Sequence, residues 1–307
     1  MPEARATPQL PADILATLDQ LLRDRGGLGQ VSAVALRRLV EDHCDKFVVF
    51  SRSGQPIAFV VLSPREFPQV AAHAAASAIQ ASERLGPRLG ATVLTPLHVG
   101  ESGGASYTVT AFCRPLSANR WVARWQRWRL AGPVLDWLHA ATRHTAAPVD
   151  GAQADALFAR PLEALAQNPI VDPNVRAGAV AARNALANGR WKPRSVLAHN
   201  DLWAGNLLRR AQPGAGTPFY VIDWAGSRNE GHGIYDLVRI GMSMGLPPAR
   251  LRQAVGAHCD VLGCEPAMAN HYLASALGHL SLNLGEWPPA QFAQTAAVCH
   301  RYLAGAR

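Results

Sequence analysis

Lysine is nearly absent from this chain of 307 residues: of 30 basic side chains only Lys46 and Lys192 are lysines, and the others are arginines. Chemistry that needs a compact ammonium rather than a planar guanidinium therefore has two positions to draw on. Cysteine is scarce too, and Cys44, Cys113, Cys259, Cys264 and Cys299 are odd in number and scattered. That excludes a disulfide framework and suits a reducing cytoplasm. His258, Cys259 and Cys264 offer one Cys-x4-Cys without a second pair, too little for structural zinc. No apolar run approaches the length that crosses a bilayer, and residues 1–11 lack an apolar signal core, so the chain is expected to stay in the cytoplasm. Internal repeats and low-complexity tracts are missing as well.

What is present sets the scale. The length exceeds one ordinary domain and suits two lobes sharing a cleft, and 49% hydrophobic residues suffice for a substantial core. The net charge of +8 favours anionic partners. Abundant Ala, Arg and Pro have the look of a GC-rich bacterial coding sequence.

The densest cluster of chemical groups lies between Val196 and Arg239. It reads His199-Asn200-Asp201-Leu202-Trp203-Ala204-Gly205-Asn206 and, after a loop, Val221-Ile222-Asp223-Trp224. Phosphoryl transfer from a nucleotide needs a carboxylate near the accepting hydroxyl and further oxygen ligands for magnesium. Asp201, Asn206 and Asp223 supply those groups. Leu207-Leu208 and Phe219–Ile222 are apolar runs around a turn-rich segment, so a hairpin would hold Asn206 and Asp223 close together.

With these residues the segment resembles the aminoglycoside phosphotransferase and choline kinase group of the protein-kinase-like superfamily. That group's signature, His-Gly-Asp-Leu-x-x-Gly-Asn followed by Ile-Asp-Trp/Phe, is departed from in its first half only at Asn200. The resemblance implies that Asp201 is the catalytic carboxylate, that Asn206 and Asp223 hold magnesium, and that His199 braces the loop. Gly231-His232-Gly233-Ile234-Tyr235-Asp236-Leu237 is similar to a further segment of the group, in which Asp236 would be a fold-stabilising carboxylate at a helix start.

The rest of the chain reads as a two-lobed α/β (α+β) fold, with an antiparallel sheet and one helix in the small lobe and a mainly helical large lobe. Ile14, Leu18, Leu21 and Leu22 mark an N-terminal helix within residues 1–27, and Gly26-Gly27 stop it. Residues 28–112 form the small lobe: a hairpin of 47–50 with 57–62, a helix over 68–86, and a second hairpin of 92–99 with 107–112. Residues 113–307 form the large lobe, with Cys113-Arg114-Pro115 as the hinge where, by resemblance, backbone groups meet the adenine. Trp137-Leu138-His139 matches a helix of the group, with His139 expected in the core, and further helices are expected over 247–263, 267–284 and 289–304.

Two features stand apart. Kinases place a lysine on the third small-lobe strand, held by a glutamate of the next helix. Here Ile57–Leu62 has no basic residue, although Glu83 stands where the glutamate is expected. Lys46 reaching across from the preceding strand, Arg65 just after the strand, or no cation at all, as in a pseudokinase, are the three readings. The second feature is Arg120–Leu130, where Trp121, Trp125 and Trp128 share a helical stripe beside Arg120, Arg124 and Arg127. Either the tryptophans pack under the hinge, or the stripe meets a membrane surface or an anionic acceptor; nucleic acid is not expected.

The sequence thus predicts an enzyme that transfers phosphate from ATP, with Mg2+, to a hydroxyl of a small molecule. The alternatives are a pseudokinase that binds nucleotide or a partner, and a membrane-surface kinase for a lipid-linked or anionic sugar. Lys46, Glu83, Cys113 and His199 are its candidate nucleotide-site residues.

Overall fold

Ile14, Leu18 and Leu22 recur every four residues, so the first helix, α1 (Ala12–Leu21), buries one face. A computed structural model describes residues 8–34, 44–210, 216–285 and 287–306. The buried face of α1 lies on a five-stranded antiparallel sheet made of β1 (Leu28–Ala33), β2 (Asp45–Ser51), β3 (Pro56–Leu62), β4 (His98–Ser102) and β5 (Ala105–Ala111), in the order β1-β2-β3-β5-β4. Leu10, Ile14, Leu18 and Leu22 share a core with Phe47, Val49, Ala58, Val60, Tyr107 and Val109, alternate residues of the three central strands. The helix expected before the small lobe is thus packed on the back of its sheet.

The second hairpin differs from its sequence reading. Thr92 and Val93 leave the sheet to bond across to Val221, and β4 starts only at His98. Gly100 joins the strand because the Tyr107 ring passes over it, where a Cβ would stand 2.7 Å away. The turn shrinks to Gly103 and Gly104, both at positive φ, as a tight hairpin requires.

Between the hairpins runs α2 (Val70–Gly90). Its first amides are capped by the hydroxyls of Ser63 and Ser106, at 2.9 Å to Ala71 and 3.1 Å to Ala72. Its far half buries Ala78, Ala81 and Leu85 in the core of the large lobe. At Gly86 the backbone turns to φ 70, and Pro87 starts a last turn.

After the hinge, β6 (Arg114–Pro115) leads into α3 (Arg120–Thr145), whose Asn119 side chain accepts the amides of Trp121 and Val122. From Leu130 onward α3 is packed in the core, with Trp137 and Leu138 buried. His139 does not join them. It is half-exposed, 2.9 Å from Arg143, and lines a surface cavity with Arg194 and Asp260. The first ten residues of α3 bury only Gln126, which accepts the Ser117 amide. Trp121, Trp125 and Trp128 are 63%, 53% and 71% exposed. They do not pack under the hinge, because the side of the helix that continues the Gln126, Leu130 and Val134 stripe lies opposite to them.

The remaining chain comprises β7 (Ala147–Pro148), the short α4 (Gly151–Ala154), α5 (Arg160–Gln167), α6 (Pro173–Ala187), β8 (Arg194–Ala198), β9 (Leu207–Arg209), β10 (Phe219–Val221), β11 (Arg228–Gly231), α7 (Tyr235–Met244), α8 (Pro248–Leu262), α9 (Ala269–Leu282) and α10 (Pro289–Ala304). Two small sheets, β10-β9-β6 and β11-β8-β7, sit beside the helices and carry the loops discussed next. No helix among the described residues is long and apolar enough to cross a membrane. All five cysteines are free.

Candidate active site

β8 delivers the chain to His199, which is 3% exposed and touches three segments at once. Its Nε2 donates to the carbonyl of Ile222 at 2.9 Å, its Nδ1 accepts the Asp201 amide at 3.3 Å, and its own amide donates to Asp236 Oδ2 at 2.6 Å. With one ring nitrogen donating and the other accepting, the tautomer is set by the fold. His199 therefore binds the loop to the strand before Asp223 and to the start of α7. Asp236 is buried, and burial raises its pKa against the opposing pull of His199 and of the amides of His199, Asn200 and Leu202.

Two residues other than glycine adopt positive φ among the described residues, and both are here: Asn200 at 65° and Asp223 at 66°. Side chains rarely tolerate this region, and Asn and Asp do so best because they bond locally. Asn200 Nδ2 donates to the carbonyl of Gly226 at 2.8 Å. The one departure from the His-Gly-Asp signature is thus a substitution that the left-handed backbone accepts.

The loop ends in a turn of 3-10 helix, Ala204–Asn206, and enters the hairpin of β9 and β10. Asn206 is buried, and its Nδ2 donates to the Asp201 carbonyl at 2.8 Å and to Asp201 Oδ2 at 3.2 Å. That use of the nitrogen leaves Oδ1 as the free acceptor. The Ile222 amide bonds the Asn206 carbonyl at 3.0 Å, which brings Asp223 alongside. The Asp223 side chain is exposed and bonded to no other described residue. An amide oxygen and an unpaired carboxylate are the hard donors that magnesium takes, and few protein ligands suffice because the ion keeps water and phosphate oxygens. Asn206 and Asp223 fit that ion. His258, Cys259 and Cys264 form no metal cluster among the described residues.

The other oxygen of Asp201 meets Arg239, whose guanidinium lies 3.2 Å from Oδ1. Asp201 is half-exposed while Arg239 is largely covered. Tyr235, Cys299 and Asp201 raise the arginine's pKa against its burial. The carboxylate is gripped on one oxygen by Arg239 and on the other by Asn206. Sequence reading missed Arg239, although its place one helical turn after Asp236 puts both on one face of α7. Trp203, two residues after Asp201 in the chain, is 43% exposed. A Cβ on Gly205 would stand 2.3 Å from that ring.

The nucleotide-site candidates are more dispersed. Lys46 lies in β2 directly opposite Val61 of β3, on the sheet face away from α1. Side chains paired in this way stand about 5 Å apart at Cβ. No other lysine or arginine occurs in the five strands. Arg65 is exposed in the turn after β3. Glu83 is exposed on α2, on the side opposite its buried Ala78, Ala81 and Leu85, and makes no ion pair with Lys46 among the described residues. The expected lysine–glutamate clasp is therefore not formed. Cys113 is half-buried at the hinge, its thiol pushed up by burial against the pull of Arg210. Residues 34–44, which join β1 to β2, contain no glycine.

No curated protein matches the chain by sequence. Among solved structures it is similar to a thermostable mutant of aminoglycoside phosphotransferase APH(4)-Ia, with TM-score 0.53 and 15% identity over 93% of this chain and 98% of that one. It is similar also to a choline/ethanolamine kinase family protein from Mesorhizobium loti, with TM-score 0.51 and 16% identity over 96% and 98%. Choline kinase LicA from Streptococcus pneumoniae follows, with TM-score 0.52 and 12% identity over 96% and 99%. These likenesses give the kinase-like fold. The profile of APH, the phosphotransferase enzyme family, matches residues 47–269, from β2 to the first residue of α9. The chain belongs to the phosphotransferase enzyme family.

Proposed function

We propose that the protein transfers the terminal phosphoryl group of ATP, with magnesium, to a hydroxyl of a small molecule. The observation that carries this reading is the double grip on Asp201. A carboxylate held on one oxygen by Arg239 and on the other by Asn206 is positioned rather than free to turn, and positioning is the main catalytic resource in phosphoryl transfer. Asp201 orients the acceptor hydroxyl and takes its proton late, as the oxygen bonds to phosphorus and the bond to the departing nucleotide breaks. Asn206 Oδ1 and Asp223 would hold magnesium, which would supply charge neutralisation at the phosphates. Lys46, the one cation of the small-lobe strands, is the phosphate contact from above.

The test joins binding to chemistry. Saturating magnesium-ATP raises the melting temperature of the wild type by about 5 °C, and Asp223→Ala abolishes the rise. Asp201→Asn keeps the rise and lowers turnover of a hydroxyl acceptor by roughly 10²–10⁴-fold. The absence of a β3 cation and of glycine between β1 and β2 favours a specific second reading, a pseudokinase. A magnesium-dependent rise without Asp201-dependent transfer to any sugar, amino alcohol or aminoglycoside would establish that reading instead.

A further inference from the structure

The first half of α3 stands out of the body of the protein with an uncommon load. Trp121, Trp125 and Trp128 fall within about 60° of one another around the helix axis. Their exposed area is roughly 300–450 Å², the size at which an apolar patch on a monomer marks a contact site. Arg120 and Arg129 lay their guanidinium groups over Trp121 and Trp125, at 4.5 and 5.0 Å from the ring centroids. Arg124 is exposed beside them, and none of these arginines has an ion-pair partner among the described residues. The sequence has no acidic residue from 102 to 135.

This arrangement costs stability in the free protein. Large indoles remain in water, and arginines crowd the positive end of the helix dipole, where acidic residues are favoured. The ridge is rigid nonetheless, because the same helix continues into the core at Leu130 and is capped by Asn119. We infer that the ridge formed by Trp121, Trp125 and Trp128 with Arg120, Arg124 and Arg129 docks the protein on the surface of an anionic lipid bilayer. Charge and shape select this occupant. Indoles settle at the level of the lipid headgroups, and arginines extend around them to the phosphates. A second copy meeting the same ridge would bring arginines against arginines. A single nucleic-acid strand is held in a groove, whereas this ridge is convex. The inference is independent of the phosphotransfer reading, since it uses no residue of the cleft.

Sedimentation of the full chain with vesicles tests it at physiological salt. Vesicles of two parts phosphatidylcholine to one part phosphatidylglycerol should carry the protein down, and vesicles of phosphatidylcholine alone should not. The triple change Trp121→Ser, Trp125→Ser and Trp128→Ser should lower vesicle affinity at least about tenfold with the melting temperature little moved, since each of these residues is more than half exposed and belongs to neither core. Arg120→Gln, Arg124→Gln and Arg129→Gln together should lower it by roughly fivefold for each arginine at the surface. No binding to the anionic vesicles overturns the inference, as does undiminished binding by the folded tryptophan variant. So does a dimer in sedimentation velocity that the tryptophan variant abolishes, or displacement from vesicles by a short single-stranded oligonucleotide at lower concentration than by lipid.

Discussion

Asn200 shows how much one side chain can disclose. At φ 65° it sits where the related signature has glycine, and its amide repays part of the strain through Gly226. Asn200→Ala removes both the local bond and the tolerance for that backbone, and should cost about 2 kcal/mol in urea unfolding. Asn200→Gly should cost under about 1 kcal/mol. An equal loss for both would mean that the bond to Gly226, not the backbone, governs the position. At this scale Asp201, Asn206, Asp223 and His199 were legible in the sequence because they are close in it. Lys46 and Glu83 were not, since their relation depends on which side of a strand and which side of a helix faces the cleft. Glu83 differs from the buried stripe of α2 by about half a turn, and that was enough to leave it in water.

At the scale of elements, α7 is the part whose contribution the sequence understated. Its first turn holds Asp236 under the His199 amide, and one turn later Arg239 reaches Asp201. A single rigid helix thus sets both the height of the loop and the direction of its carboxylate. Arg239→Gln should lower kcat about tenfold while leaving the KM for ATP and the melting temperature near wild type, with Arg239→Lys recovering part of kcat. A fall in melting temperature with kcat intact would make the arginine a structural support only. The strands that flank the cleft were half-legible. β-Branched residues on either side of the turn residues 51–56 announced the hairpin of β2 and β3, but β1, β8 and β11 are short or irregular, and the backbone bonds that define β8 and β11 join distant segments.

At the scale of the whole molecule, two buried histidines couple the fold to pH. His232, bonded to the Leu157 carbonyl, and His258, bonded to that of Ala254, are each lowered by burial to about 4. Between that value and the ordinary 6.5 the unfolded chain takes up protons that the folded chain refuses. Their stabilisation is therefore complete above about pH 6.5 and lost as the pH falls through 4, by on the order of 3 kcal/mol each. Urea midpoints should fall steadily from pH 7 to pH 4.5, and His258→Asn should flatten that slope; an unchanged slope would reject the assignment for His258.

The two lobes have separate cores, the smaller built on α1 and the sheet, the larger extending from α2 to α10. Yet α2 starts beneath Ser63 and Ser106 of the small lobe and finishes among the large-lobe residues. The small lobe is therefore tied to the large one at Cys113–Pro115, along this helix, and through Thr92 and Leu94, whose backbone groups bond Val221. The small lobe cannot draw away without exposing Ala78, Ala81 and Leu85 to water and breaking the bonds at Val221, so the two cores are expected to melt together.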